Sequence, residues 1–385
     1  METNLLIIGA GPFGLAVAAQ ASHDQIEHLI VGKPMEFWHH HMPKGMYLRS
    51  ACDWHLDPLN IDTIEAYCHF QNKTAQEVEP LSLDFYLAYV DWFQRQKGIQ
   101  PLPLHIERLE RSSDKKTFVA GTVDREVINA RRVVLAPGFK HFTNVPADLK
   151  AKLPAGRFRH TCDFVDFSEA KDKRYLIIGG RQSAFEWAAL LVEAGASAVH
   201  LSHRHDIPAF QESHWKWVKP LVDGMVENPK WFRSLSQEDK DAISHRLWAE
   251  GRLKIEPWLE SRLQNERIHV WPHTEVLSCI EQDNGELKVE LCNGEKVFVD
   301  QIILATGYKV DIARLPFLAA GHLLTELATR NGFPELNPRF ETSVPGLFIT
   351  SMPATQDFGP FFGFTIAVNV SAKLICEAVK NETSG

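Results

Sequence analysis

Residues 4–22 read NLLIIGAGPFGLAVAAQAS, and this stretch decides the fold. Leu5–Ile8 is a short, continuous apolar run, the pattern of a strand buried on both faces of a parallel sheet. Gly9, Gly11 and Gly14 follow as G-x-G-x-x-G, with Pro12 and Phe13 inside the turn. Pro12 stands where a helix begins, a place where its missing N–H costs nothing. A small apolar helix and a second strand, His28–Val31, complete the unit. Each glycine has its own task in such a turn. Gly9 permits the tight bend, Gly11 lets the backbone approach a pyrophosphate, and Gly14 lets helix and strand pack closely. The helix start then offers free N–H groups and a positive dipole end to phosphate. The acid expected at the end of the second strand is absent, since Val31-Gly32-Lys33 stand there. Glu36, one turn further on, is the substitute we assign to the ribose.

The plan repeats at residues 174–204, RYLIIGGRQSAFEWAALLVEAGASAVHLSHR. The spacing predicts a strand at Tyr175–Ile178, a turn through Gly179, Gly180, Arg181, Gln182, Ser183 and Ala184, a helix through Ala194, and a strand at Ala198–Leu201. Arg181 replaces the second glycine. Either Gly180 takes its part, or Arg181 supplies charge from a backbone held further off. Ser183 is expected to cap the helix. Ser202, His203 and Arg204 end the second strand where an acid would hold a free 2′-hydroxyl. A cation there suits a 2′-phosphate, so NADPH is expected over NADH, the alternative for Arg204 being a solvated surface residue. Two dinucleotide units in one chain imply a pair of cofactors and a hydride passed between them.

The composition narrows the partners. The 385 residues suggest two domains or slightly more. A net charge of −8 argues against nucleic acid. The six cysteines are scattered without a C-x-x-C pair, which argues against a zinc ribbon or a dithiol centre and fits a reducing compartment. Leu5–Ala21 has the apolarity of a signal-peptide core, but Glu2 precedes it and glycines and a proline interrupt it, so a cytoplasmic protein without a membrane span is expected.

Further stretches carry a family likeness. Residues 154–164, PAGRFRHTCDF, are similar to the F-x-G-x-x-x-H-x-x-x-[FY] fingerprint, with Pro154 in place of the leading Phe. Leu304-Ala305-Thr306-Gly307-Tyr308 resembles an A-T-G-[FY] return segment, and Leu135–Gly138 resembles its earlier counterpart. Gly346–Ile349 and Phe358-Gly359-Pro360 through Gly363 resemble a flavin-contacting carboxyl end. The chain thus resembles the two-dinucleotide flavoprotein monooxygenases: flavin-containing, Baeyer–Villiger and N-hydroxylating enzymes. The segment FWHHHMPKGMYLRS, residues 37–50, is similar to a small bacterial branch. Residues 50–53, SACD, faintly resemble a Baeyer–Villiger motif, whereas Phe164 is more like the heteroatom oxygenases.

The resemblance implies an α/β protein of two Rossmann-like, three-layer domains with a helical cap insertion. Residues 1–165 with 305–385 would bind FAD, and 166–304 would bind NADPH, with the cap at 206–262. NADPH would reduce the flavin, and a C4a-(hydro)peroxyflavin would give one oxygen atom to a small organic metabolite by Baeyer–Villiger insertion or N/S-oxygenation. The partners would be that substrate and O2, with a monomer or homodimer as the assembly. One alternative is a flavin reductase or dehydrogenase serving a quinone or protein acceptor, and another is a non-catalytic nucleotide sensor.

Candidate site residues follow. Arg49 is expected near the isoalloxazine, where a cation favours negative charge; its alternative is an ion pair with Asp53 or Asp57. His41 and Asp53 join it as catalytic candidates. Trp38 and Met46 join the flavin contacts, as do Ala305, Thr306 and Gly307. Phe358, Gly359 and Pro360 are read as a helix start facing the flavin, or as plain aromatic packing. No metal is expected, because His39-His40-His41 in an extended run would point to alternating faces. His160 is expected to link the domains or touch NADPH, or to be a satisfied core histidine. The Trp-rich insertion is read as a cap, with an oligomer interface as its rival. Thr117–Ala120 with Val123–Ile128, and Leu287–Val299 around a two-residue Asn293-Gly294 turn, are read as hairpins.

Overall fold

A computed structural model describes residues 1–383; residues 384 and 385, included in the expected first domain, lie outside it. The first sheet runs in the order His28–Val31, Glu2–Ile8, Val127–Leu135, Phe118–Thr122, Ile106–Arg111, with Leu347–Ile349 also paired to Val127–Leu135. The pairings of Glu2–Ile8 are parallel, as is that of Leu347–Ile349, and the other two are antiparallel. The long strand Val127–Leu135 therefore divides. Its first half joins an antiparallel meander through Ala130 and Phe118, and its last residues, Val133–Leu135, lie between the chain's opening strand and Leu347–Ile349. Helix Pro12–His23 packs behind this sheet, against helices Val368–Thr383 and Leu83–Lys97.

The second sheet is parallel throughout, in the order Ile268–Trp271, Ala198–Ser202, Arg174–Ile178, Gln301–Leu304, Phe158–His160. Period-two alternation sorts its side chains. Tyr175 and Ile177 join the core under helix Gln182–Glu193, while Leu176 faces a three-stranded antiparallel layer of Val276–Glu281, Leu287–Leu291 and Lys296–Val299. Helix, parallel sheet and antiparallel sheet make three layers.

Four expectations need correction. The second domain does not begin at 166: Phe158–His160 is the edge strand of its sheet, and Val145, Leu149 and Leu153 already belong to its core. Val123 lies in the bend between strands Phe118–Thr122 and Val127–Leu135 rather than in a strand. The second hairpin turns over three residues, Cys292–Gly294, because the Leu291 N–H donates to the Glu295 carbonyl. The histidine run is helical, since Glu36–His40 forms a short helix.

Residues 206–262 carry helices Val218–Asp223, Trp231–Ser234 and Gln237–Arg252, closed by a parallel pairing of Ala209–Phe210 with Lys254–Ile255. Val218, Val222, Met225, Phe232 and Leu247 enter the core of the first domain, with Trp215, Trp217 and Trp231 packed against it. Leu259 and Trp258 return the chain to the second core. The insertion therefore bridges the two domains, and four of its five tryptophans are spent on packing.

Arg49 fastens this bridge. Its Nε donates to Glu256 Oε1 at 2.7 Å, its Nη1 donates to the Gly251 carbonyl at 2.7 Å, and its Nη2 donates to Ser213 Oγ. The partner is thus neither Asp53 nor Asp57. Asp57 is buried and paired with Lys97 at 2.8 Å, and although burial opposes it, Lys97 and the N–H groups of Leu59, Ile61 and Asp62 hold its carboxyl below the usual range. Replacing Arg49 by Met leaves Glu256 buried and unpaired, and should cost about 3 kcal/mol. Limited proteolysis should then cut within 206–262; an unchanged denaturation midpoint and fragment pattern would show that the strut carries nothing.

Glu186 gives a pH dependence. It is buried on helix Gln182–Glu193, and burial pushes its carboxyl up to about 7 despite Arg262 at 3.2 Å. The folded chain therefore holds a proton there that the unfolded chain releases, and stability falls as pH rises from the ordinary glutamate range to about 7. Glu186→Gln should match the parent in chemical denaturation at about pH 5 and exceed it at about pH 8. Equal stability at both would contradict this account.

Candidate functional site

The first turn is built from backbone contacts that admit no side chain at two of its three glycines. A Cβ on Gly9, whose φ is +114°, would stand 2.3 Å from the Ala136 carbonyl oxygen. A Cβ on Gly14 would stand 1.8 Å from the Gly9 oxygen. Gly11 differs, for nothing lies within 4 Å of its would-be Cβ. Gly11 is the helix cap, extended and without any side-chain cap bond, so the first-turn N–H groups of Pro12–His23 have no side-chain cap partner. This cradle fits a pyrophosphate. The Met35 N–H donates to the Ala10 carbonyl at 3.0 Å, which draws Glu36, half-buried at the head of its short helix, to the turn.

The second turn copies this construction. A Cβ on Gly179 (φ +138°) would lie 2.4 Å from the Ala305 oxygen, the same relation as Gly9 to Ala136. Arg181 caps helix Gln182–Glu193 in extended backbone, as Gly11 does in the first unit. Arg181 is therefore the residue in Gly11's place, and Gly180 does not substitute for it. Gly180 is needed for another reason: its Cβ would meet the His203 ring at 2.4 Å. Ala184, fully buried, stands in for Gly14. Ser183 is exposed inside the helix and makes no cap bond, a correction to the expected cap. Gln182 instead accepts the Glu256 N–H at 3.1 Å and so ties the turn to the insertion.

His203 is the second unit's unspent group. It is buried, its Nδ1 lies 2.8 Å from the His205 carbonyl, and its Nε2 has no partner. Burial, with the His205 charge next, brings its pKa down to about 4, so the ring is neutral and Nε2 carries an unpartnered lone pair, while Cγ and Cδ2 of the ring lie against Gly180. An acceptor beside such a turn fits a ribose hydroxyl. Arg204, next in the chain, is 80% exposed and only 3.8 Å from Glu275 Oε1.

The remaining candidates separate. Ala305, Thr306 and Gly307 belong to the second turn, where Thr306 Oγ1 donates to the Asn144 carbonyl and the Gly307 carbonyl accepts from His160 Nε2 at 3.0 Å. His160 is buried and kept neutral by burial, a satisfied link between strand ends. His41 comes from the first domain to the same junction. Its Nδ1 is 2.7 Å from the Cys162 carbonyl, and one ligand atom each of His41, Cys162 and Asp163 lie within 4.8 Å of one another. Trp38 stacks on Tyr86 at 4.8 Å, and Met46 is half-buried against the core. Asp53 is exposed in a recess, where burial of its carboxyl, opposed by Lys219, raises its pKa.

The expected helix start at Phe358–Pro360 is present only as a short 3-10 helix, Pro360–Gly363, with Gly359 at its cap and Pro360 in its first turn. Phe358 stacks on Phe340 at 3.8 Å, Gly359 abuts Phe232, and the long helix begins only at Val368. Sequence reasoning missed the groups that do stand unpaired here, the buried Thr350 Oγ1 and Thr365 Oγ1 and the Asn369 Oδ1. Thr350 follows strand Leu347–Ile349, its N–H bonded to the Leu135 carbonyl, so it lies at the carboxyl ends of the parallel strands, where such sheets bind ligands.

Comparison with known proteins agrees with this fold. Over 100% of both chains, the fold matches that of an ornithine N-hydroxylase from Kutzneria sp. 744, solved with reduced FAD, NADP+ and L-ornithine, with a TM-score of 0.81 at 13% identity. A probable indole-3-pyruvate monooxygenase of Arabidopsis thaliana is 24% identical over 52% of this chain and 52% of its own. A trimethylamine monooxygenase of Methylocella silvestris is 29% identical over 36% of this chain and 30% of its own. The chain thus spans about half the length of the first of these curated relatives and less of the second. A family model described as pyridine nucleotide-disulphide oxidoreductase matches residues 6–245, and the chain belongs to that family.

Proposed function

We propose that the protein is an FAD- and NADPH-dependent monooxygenase of a small organic metabolite, with an amine nitrogen as the favoured target. The observation that carries this reading is the pair of matched turns: Gly9 against Ala136 and Gly179 against Ala305, each followed by a helix start without a side-chain cap. One nicotinamide enzyme needs one such unit, and two make room for a flavin and a hydride donor. Relatives that act on trimethylamine and ornithine support a nitrogen target.

Bound FAD would supply the redox and oxygen-activating chemistry, and NADPH the hydride. The side chains then have limited tasks. The N–H groups after Gly11 hold the first pyrophosphate, and Glu36 takes the adjoining ribose. Gly179, Gly180, Arg181, Gln182 and Ser183 frame the second nucleotide, His203 Nε2 accepts a ribose hydroxyl, and Arg204 meets the 2′-phosphate. Thr350, Thr365 and Asn369 offer their unpaired groups to the flavin side. Arg49 acts by position: it closes the insertion over the cleft and so excludes water. Among the described residues all six cysteines are free, and none stand in C-x-x-C spacing. Among the described residues no helix is long and apolar enough to cross a membrane.

Purified protein should be yellow, and NADPH should bleach it anaerobically. On readmission of O2 with trimethylamine or ornithine, oxygenated product should form in step with NADPH consumed. Colourless protein that takes up no added flavin, or stoichiometric hydrogen peroxide with every amine tried, would refute the proposal. Arg204→Ala should raise KM for NADPH about tenfold, near 1.4 kcal/mol, and leave that for NADH unchanged.

A further inference from the structure

The junction between the two domains gathers three side chains of metal-binding type. One ring nitrogen of His41, the Cys162 Sγ and one carboxylate oxygen of Asp163 all lie within 4.8 Å of one another, and among the described residues no other three such groups come so close. His41 comes from the first domain, at the end of the short helix Glu36–His40, where its N–H donates to the Phe37 carbonyl and its ring stacks on Phe37 at 5.4 Å. Cys162 and Asp163 lie on the single helical turn Thr161–Asp163, directly after Phe158–His160, the edge strand of the second sheet. The two chain crossings between the domains meet at the same place. Thr143 pairs with Tyr308, the Asn144 N–H donates to the Gly307 carbonyl at 2.9 Å, and the Lys309 N–H donates to the Phe142 carbonyl at 2.7 Å. The Tyr308 ring in turn lies 5.2 Å from that of His160.

The chemistry of the three groups selects a ligand. His41 Nδ1 is 2.7 Å from the Cys162 carbonyl oxygen, which can only accept, so the neutral ring holds its hydrogen there and keeps its lone pair on Nε2. Metal-bound histidines are oriented by carbonyl partners of this kind. Cys162 is a free thiol, and Asp163 is exposed with no ion pair among the described residues. One imidazole, one thiol and one carboxylate form a donor set suited to zinc, whereas calcium and magnesium take oxygen. Zinc bonds of about 2.0–2.3 Å hold tetrahedral ligands about 3.5 Å apart, and a closure of about 1 Å by side-chain rotation brings the three atoms to that spacing.

We infer that His41, Cys162 and Asp163 bind a zinc-class divalent cation, with water in the fourth place, and that the bound ion staples the first domain to the second. As the metal–sulfur bond forms, the thiol gives its proton to water, and thiolate and carboxylate together balance the ion's two charges. Asp163, on the surface, gives the ion its way in. The argument against a metal at His39-His40-His41 does not touch this site, because His39 and His40 are exposed and take no part. The inference is independent of the reaction that the flavin performs.

The test uses the full chain with its flavin, stripped with EDTA and titrated calorimetrically with Zn2+ alone and with Co2+ alone. One equivalent of each should bind, and Tm should rise with metal concentration. Bound Co2+ should show the d–d bands of a tetrahedral site, at longer wavelength than the oxidised flavin. Amide exchange at residues 142–144 and 307–309 should slow in the Zn2+ form. His41→Gln, Cys162→Ser and Asp163→Asn should each weaken Zn2+ binding about tenfold or more. Asp163 is exposed, so its variant decides the matter even where buried Cys162→Ser fails to fold. His39→Gln, and Cys292→Ser at the exposed cysteine, should bind as the parent does. No binding by the parent, an octahedral Co2+ spectrum, or affinity lost in Cys292→Ser and kept in Asp163→Asn would overturn the site. Binding with unchanged amide exchange at the crossings would overturn the staple.

Discussion

The structure depends on a contact between bare backbones. At each nucleotide turn, the first glycine lies against the carbonyl of an alanine that ends the neighbouring parallel strand, Gly9 on Ala136 and Gly179 on Ala305. Neither contact leaves space for a methyl group. Because the peptide groups approach so closely, the strand can bend at once into a helix, and the helix's free N–H groups end up at the sheet's carboxyl edge. The positions of Glu36, His203, Arg181 and Thr350 all follow from where these bends put that edge. A side chain at either glycine would push the helix from the sheet, and the cradle would open with it.

The insertion is the second determinant. It shares its core with the first domain, returns through the second, and is held by Arg49, Gln182 and Arg181, which reach it from both. A rigid bridge of this kind makes the cleft a property of both domains together. It also explains why a residue that the sequence places beside the flavin, Arg49, serves as a strut: its carboxylate partner lies 207 positions away in the chain.

The features that were legible in the sequence are those with local causes. Leu5–Ile8 and Tyr175–Ile178 read as strands because apolar runs of that length between turn residues have few other fates. The glycines of the first turn could be given separate tasks because each task is steric. Where the cause is distant, the reading failed. Phe158–His160 carries two polar residues in three and has no periodicity, so only its pairing with Gln301–Leu304 shows that it opens the second domain. Ser183 has a capping side chain, but the backbone of Arg181 already holds the cap position. Gly359 and Pro360 do open a helix, but only the short 3-10 helix Pro360–Gly363; Phe358 packs on Phe340, and the long helix begins at Val368. Arg252 carries no motif at all; its place depends on a helix end meeting a turn 71 residues earlier.

The division of strand Val127–Leu135 has a consequence for the order of assembly. Val133–Leu135 need Leu6–Ile8 on one side and Leu347–Ile349 on the other. A growing chain therefore completes the parallel sheet of Phe158–Leu304 while the earlier one still has an unpaired flank. During synthesis that flank, and the face of Pro12–His23 that awaits Val368–Thr383, stay uncovered until the last segments emerge. The amino-terminal half, though made first, closes last, and a prematurely terminated product would present an open strand to its neighbours.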